Sequence, residues 1–342
     1  MSLLEKKRGS FKFDFSGGGD LPFENRMSRA EWCSELDKSD TLMVSLALSR
    51  KEAADFKLAQ LPTRLSVKWQ DRPLFKGGLL AAEQTGGSRF DLIYKDNLYA
   101  LERRIEGGYL KNESLSNAVR GIVSQGKLEA KFFGDFSDLL PSIFLGDRTL
   151  YENLVFLADK FGFFFYFHGP SELVHFIRLG SSSASVQVDA GKSVYGIHAS
   201  KRSDLSWGEV NCRVFDHRTL STQNKKIASQ SIYGSLSQVS GHSSYRTKQS
   251  WPFSQGEYEV NAHHATEFDD SQRRVNAPLA KKAICGETTQ LTSYEPLALP
   301  GELLELSQTW NSDFHEGSYL VQKCLVTFQS SLPRAETFIV RP

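Results

Sequence analysis

The chain reads as mainly β with an α+β middle region, in which two related small antiparallel β-barrel domains flank a mixed α/β domain. Three observations predict this. Short strands of alternating polarity recur near both ends. A capped amphipathic helix runs through one glycine into an all-aromatic strand at the centre. A stretch early in the chain is echoed late in it. At 342 residues there is room for roughly two or three domains, and the expected boundaries are 1–106, 107–185 and 186–342.

In the first domain, residues 1–30 are polar and glycine-rich, and 42–48 (LMVSLAL) read as a first strand. Leu65, Val67 and Trp69 alternate with polar residues, as a half-buried strand requires. Asp71, Arg72 and Pro73 form a turn, and a second strand runs from Gly77 to Glu83. Phe90, Leu92 and Tyr94 alternate again, and the turn Lys95–Asp96–Asn97 leads into Leu98–Arg103. Strands this short and evenly spaced suit a small barrel or sandwich.

The middle domain opens on a helix over Ser114–Gln125, with Leu115, Val119, Ile122 and Val123 on one side. Phe132–Leu145 is aromatic and irregular. Thr149 and Glu152 then have capping-box spacing. Leu150, Leu154, Leu157 and Phe161 share one helical face, and Gly162 stops the helix. Phe163 to Phe167 do not alternate with polar residues, so both faces of that strand should be covered. The run is too short for a bilayer span, which needs roughly 20 residues. Leu173–Leu179 should pair with it as a hairpin across Gly169–Pro170. Residues 180–192, rich in Ser and Gly, read as a linker or long loop.

The last domain is β again. Val194–Lys201 and Glu209–Phe215 are expected strands, Tyr258–Arg274 reads as helical, and Ala283–Gln329 is a second meander. A polar inserted segment lies near 220–270, its most Ser- and Gln-rich part at 220–256. Pro62–Gln70 (PTRLSVKWQ) resembles Pro300–Gln308 (PGELLELSQ). Each precedes a loop, a glycine (Gly77, Gly317) and an apolar strand. Chance and duplication both remain open at this level.

Composition excludes several function classes. The formal net charge is +1, so no bulk field draws the protein to nucleic acid. The N-terminus has no apolar run of signal-peptide length. Cys33, Cys212, Cys285 and Cys324 show no CxxC spacing and read as buried thiols, with a disulfide between distant ones left open.

No residue earns a catalytic, cofactor-binding or metal-binding role. Gly121–Lys127 has the Gly and Lys spacing of a phosphate loop, but Leu128 stands where Ser or Thr is needed and the helix comes before. His263, His264, Glu267, Asp269 and Asp270 are the densest set of metal-ligand types, and they read as a solvated helix face. There is no Gly-x-Ser-x-Gly elbow. His168, His175 and His198 read as hydrogen-bonded structural groups. Asp135 and Asp138, near Phe132, Phe133 and Phe136, are the place where a raised carboxyl pKa would fall, but they read as exposed acids on an aromatic-rich loop. The basic run Lys6–Lys7–Arg8 reads as a solvated tail.

The order of these parts resembles a known family. FKGGLLAAEQTGGSRFDLIY, then TLYENLVFLADKFGFFFYFH, then ALPGELLEL and GSYLVQKCLVTF look like the baseplate hub family of contractile injection machines. That family includes the late control D proteins of phage tails and the N-terminal hub portion of VgrG. The resemblance spans roughly residues 40–330, and the central block is its most specific part. Where VgrG-like chains have an acidic Glu-Ser-Asp lead-in, this chain has Gly146-Asp147-Arg148-Thr149. It also lacks the OB-fold and β-helical spike.

The resemblance implies a homotrimeric hub. Its partners would be a tail tube protein, a central spike protein and other baseplate proteins. It implies no enzyme activity, no cofactor, no sequence-specific nucleic-acid binding and no integral membrane segment. Synthesis would be in a bacterial cytoplasm without a signal peptide, followed by assembly into a virion tail or a phage-like (prophage) particle. Two barrels per subunit in a trimer would offer near-sixfold geometry to a hexameric tube and threefold geometry to a trimeric spike. The alternatives are a VgrG-type hub of a type VI secretion system and, from another class, a tail-associated peptidoglycan hydrolase.

Overall fold

The computed structural model describes residues 11–18, 23–55, 60–69, 72–102, 108–178, 181–182, 184–201, 209–216, 221–228, 257–261, 281, 287–307, 317–328 and 333–340. The first strands are β1 (Phe11–Ser16), β2 (Met27–Glu35), β3 (Thr41–Ala47), β4 (Arg64–Trp69), β5 (Arg72–Gln84) and β6 (Arg89–Asp96). Then come β7 (Tyr109–Ser114), β8 (Ala130–Phe133), β9 (Leu139–Phe144), β10 (Phe163–His168) and β11 (Leu173–Arg178). The last part holds β12 (Ser185–Asp189), β13 (Gly196–Lys201), β14 (Glu209–Asp216), β15 (Ser221–Ala228) and β16 (Glu257–Asn261). It ends with β17 (Glu287–Ser293), β18 (Leu303–Ser307), β19 (Gly317–Phe328) and β20 (Arg334–Val340).

Mainly β architecture with a mixed middle region is what the structure shows. Several local expectations change. The polar first thirty residues contain β1 and the start of β2, whose alternating Phe11, Phe13 and Phe15 lie among glycines and charges. Arg72 and Pro73 belong to β5, not to a turn. After the Lys95–Asn97 segment, a short helix occupies Tyr99–Glu102. The expected linker 180–192 contains β12 and a helical turn at Ala190–Ser193. Glu257–Asn261 is a strand paired in parallel with β14, so Tyr258 does not begin a helix. Residues 262–274 of that expected helix, and 229–256 of the polar segment, lie outside the described residues.

The main sheet has twelve strands and uses one strand order twice. The first half runs β1-β4-β5-β6-β3-β2 and the second β12-β18-β19-β20-β17-β13. Numbered within each half, both read 1-4-5-6-3-2. The outermost pairing differs: β1 is antiparallel to β4, whereas β12 is parallel to β18. The small sheet β15-β14-β16 is inserted between the second and third strands of the later half.

Hydrogen bonds and bulges confirm the correspondence residue by residue. Leu79 N donates to Thr63 O at 2.8 Å, and Val321 N donates to Glu302 O at 3.0 Å. Next along each strand comes one bulged residue, Leu80 in β5 and Gln322 in β19. Leu65 and Val67 therefore match Leu304 and Leu306, all buried. The echo seen in the sequence is real at the level of strands, but its alignment is off by one residue. Gly77 and Gly317 do not correspond.

The middle region packs β10-β11-β8 against the helices Leu115–Gln125 and Leu150–Phe161. The second helix begins with the predicted box: Glu152 N donates to Thr149 Oγ1 at 3.1 Å, and Thr149 N donates to Glu152 Oε2 at 2.7 Å. It ends at Gly162, whose φ of 67° a side chain would strain. Thr149→Ala is expected to cost about 1 kcal/mol of stability, read from a denaturation midpoint. A loss below a few tenths would show that the box is not stabilising.

Candidate functional site: the seam and its polar clusters

The two halves of the main sheet meet where β2 pairs antiparallel with β19, from Lys323 opposite Glu35 to Phe328 opposite Ala30. The aromatic strand β10 closes over this seam. Phe163, Phe165 and Phe167 face the helices of the middle region. Phe164 and Tyr166 face Leu36, Ile177, Leu320 and Val340. Both faces of β10 are thus buried, as the lack of alternation predicted. Gly301, at φ +83°, sits where a Cβ would collide with Tyr166 and Ile177, so the approach of β18 to this strand requires glycine.

Charged groups stitch the same junction. Asp37 has a positive φ of 61° at the end of β2. Its N–H donates to Phe165 O at 2.7 Å, and Phe165 N donates back to Asp37 Oδ1 at 2.9 Å. The Tyr151 hydroxyl donates to the Asp37 carbonyl. Lys281 Nζ lies 2.7 Å from Asp37 Oδ2 and 3.0 Å from Asp159 Oδ1, and 5.0 Å from the centre of the Phe164 ring. Burial works against the Lys281 charge, but the two carboxylates outweigh it and raise its pKa. Arg72 pairs with Glu302, a carboxylate only 2% exposed that also accepts from Leu299 N at 2.7 Å.

A second buried cluster lies under the β2–β3 turn. Asp96 accepts from Ser39 Oγ at 2.7 Å, Asp40 N at 2.9 Å and Leu98 N at 3.0 Å. Burial pushes its pKa up to about 6. Asp40 is buried beside it, and burial together with the Asp96 charge holds its carboxyl far above the usual range. Sequence reasoning missed both clusters. Their long-range partners, Asp40 with Asp96 at 56 residues' separation and Asp37 with Phe165 at 128, leave no local pattern in the sequence.

The residues singled out from the sequence fall as follows. The His168 and His175 rings stack with centroids 4.4 Å apart. His175 Nδ1 lies 3.0 Å from the Tyr166 hydroxyl and Nε2 3.2 Å from Ser171 Oγ. Burial lowers the pKa values to about 4 for His168 and about 3 for His175. Both are therefore neutral at pH 7, as structural histidines. Their folded values lie below the unfolded value near 6.5, so they take stability away as pH falls from about 6.5 to about 4. His175→Gln is expected to flatten that acid limb. An unchanged stability-versus-pH slope would remove the pair from the account. His198 is exposed on β13.

Asp135 is an exposed acid on its loop, as read, and its carboxyl is lowered by hydrogen bonds from Ser137, whose N–H donates to Oδ1 at 2.9 Å. Asp138 pairs with Arg178, which also donates to the Asp135 and Phe161 carbonyls. The pseudo-phosphate loop Gly121–Lys127 is the C-terminal end of the first of the two helices. A helix C-terminus carries partial negative charge and repels phosphate.

Cys33 and Cys324 are free thiols whose pKa values burial raises. Cys285, the His263–Asp270 cluster and Lys6–Arg8 lie outside the described residues. Among the described residues no group of three or more metal-ligand side chains forms, and no helix is long and apolar enough to cross a membrane.

The fold is that of phage tail proteins. Over 97% of this chain and 96% of the other, it matches a tail protein from Neisseria meningitidis MC58 with a TM-score of 0.70 at 12% identity. The 43 kDa tail protein of prophage MuSo2 from Shewanella oneidensis matches over 97% of both chains, with a TM-score of 0.67 at 10% identity. An E. coli component of the type VI secretion system, described as similar to the T4 tail proteins gp27 and gp5, matches over 97% of this chain. That match covers 77% of the secretion protein, with a TM-score of 0.61 at 9% identity. No protein-family model and no curated protein matches the sequence.

Proposed function

We propose that this protein is a structural baseplate hub of a contractile phage tail or phage-like injection machine. In this reading it forms a homotrimeric ring that adapts a hexameric tail tube to a trimeric central spike. The observation that carries the reading is the strand order used twice in one sheet. Two equivalent units per chain, three chains per ring, make six similar units around an axis. Near full-length likeness to phage tail proteins supports it.

The mechanism is geometric: the ring matches symmetries, helps nucleate the tube and leaves an axial channel. The ion pairs and carboxyl clusters above serve internal joints, which favours a structural over a catalytic role. Residues 1–106, 107–185 and 186–342 are read as its three domains. The polar 220–256 segment is read as a contact with neighbouring baseplate proteins, and assembly is into the particle.

Likeness to the E. coli secretion component keeps a VgrG-type hub as the second reading. Gene neighbours separate the two: tail genes in one case, secretion ATPase and effector genes in the other.

The test is solution mass by light scattering, with electron-microscope class averages of the same peak. A three-subunit ring with a central hole is expected, since such a trimer would bury on the order of 2,000 Å² or more at its interfaces. A monomer that stays one with tube and spike proteins added would sink the hub reading and reopen the tail-associated hydrolase.

A further inference from the structure

The repeated strand order leaves one asymmetry. Within the chain, the second strand of the first half (β2) pairs with the fifth strand of the second half (β19). The same two edges recur on the other half of each pair, without a partner strand among the described residues. β13 is the counterpart of β2, and the path of the main sheet ends at it. β5 is the counterpart of β19. Beyond Leu79 its edge opposite β6 carries no strand among the described residues.

An open strand edge presents unpaired N–H and C=O groups and is a template for another strand. We infer that residues 80–86, along β5 and its turn, pair antiparallel with β13 of a second copy of this chain, repeating between subunits the β2–β19 seam. This rests on the hub reading above and names the interface that reading needs.

The register follows from the equivalences already given. The intrachain seam sets Leu325 opposite Cys33 and Val326 opposite Trp32. Through the shared bulge, Leu325 and Val326 correspond to Glu83 and Gln84. Through the pairings with β3 and β17, Cys33 and Trp32 correspond to Ser200 and Ala199. Glu83 of one copy therefore lies opposite Ser200 of the next, and Ala82 opposite Lys201. In the seam, Leu36 N donates to Gln322 O at 2.9 Å, so the carbonyl of Leu80 is the corresponding acceptor.

The surface chemistry agrees. Leu80 is 42% exposed and Tyr195, next to β13, is 50% exposed. Both are among the few large hydrophobic side chains left in solvent. Tyr195 packs on exposed Tyr294 with centroids 4.7 Å apart. By the same register this aromatic pair faces the hairpin turn Thr85–Ser88. There Gly86 and Gly87 have open space where a Cβ would be, a flat seat for aromatic rings. The contact is head-to-tail, so it closes into a ring or runs into a filament according to its rotation. The hub reading requires closure at three.

The test is a cysteine pair in the full chain, Glu83→Cys with Ser200→Cys, under mild oxidation. The result expected is a reducible covalent species of three subunits on a non-reducing gel. Neither single substitution should give it, nor should Glu83→Cys with Ile197→Cys, three residues out of register. Leu80→Lys, at an exposed site, should weaken self-association at least tenfold with the fold intact by circular dichroism. A ring that forms but does not cross-link in this register overturns the inference and leaves the hub reading standing. A chain that is monomeric at every concentration and stays so with tube and spike proteins added, without cross-link, overturns the inference and the reading under it.

Discussion

Lys281→Met is expected to destabilise the fold by about 3 kcal/mol at neutral pH, the range for stranding one partner of a buried ion pair. The ammonium sits between Asp37 and Asp159, and its side chain is only 7% exposed. Methionine keeps the stem against Phe164 but leaves the Asp37 carboxylate facing apolar surface. Burial already holds that carboxyl above its unfolded value near 3.9, against the pull of Lys281, and without the ammonium its folded-state pKa rises further. Stability conferred by a raised carboxyl is complete below the unfolded value and is lost as pH rises through the folded one. The deficit should therefore be small near pH 4 and full at pH 8. Asp37→Asn in the same chain should restore at least half of it, since Asn Oδ1 can still accept from Phe165 N. Equal losses at both pH values, or no recovery in the double variant, would show that packing and not charge is at stake.

Asp40→Asn is expected to have the opposite sign and to stabilise the protein at pH 8 by roughly 1–3 kcal/mol. Asp40 and Asp96 are both buried, each 3% exposed, and bonded through backbone and side chain. Burial raises both carboxyls, Asp96 to about 6, and the Asp96 charge raises Asp40 further. The folded state thus holds protons that the unfolded chain releases near pH 4. The pair costs most above pH 6 and least below pH 4. The change is made at Asp40 because Asp96 uses its oxygens to accept three hydrogen bonds. The quantity to measure is the difference between variant and parent at pH 4 and pH 8, which cancels the opposing histidine contribution. A difference that does not grow with pH would show that the two acids do not titrate in this window.

Tight acidic clusters near strand ends usually suggest chemistry, because raised carboxyls suit proton transfer. Here one cluster is enclosed beneath the β2–β3 turn, within the first half-sheet, and the other is paired with Lys281 where that sheet meets the middle region.

Much of the fold was legible in the residues alone, wherever the cause was local. Thr149 and Glu152 cap a helix because they are three residues apart. Gly162 ends it because glycine tolerates a positive φ, and five consecutive aromatics need cover on both faces. Alternation at Leu65–Trp69 and Phe90–Tyr94 marked strands for the same reason. Where polar spacers and charges blurred the period, at β1, β2 and β12, the strands were missed.

The late echo of PTRLSVKWQ was visible, but its register was not, since a one-residue offset in alignment depends on which backbone groups bond across the sheet. Only the tertiary structure decided that Asp40 meets Asp96 and Lys281 meets Asp37, and that β2 pairs with β19 while the matching edges of β5 and β13 carry no strand among the described residues. Local sequence sets which segments become strands and helices, through short-range sterics, caps and side-chain period. Which edges pair, and which are left for a partner, depends on contacts between residues hundreds of positions apart, and no local pattern encodes those.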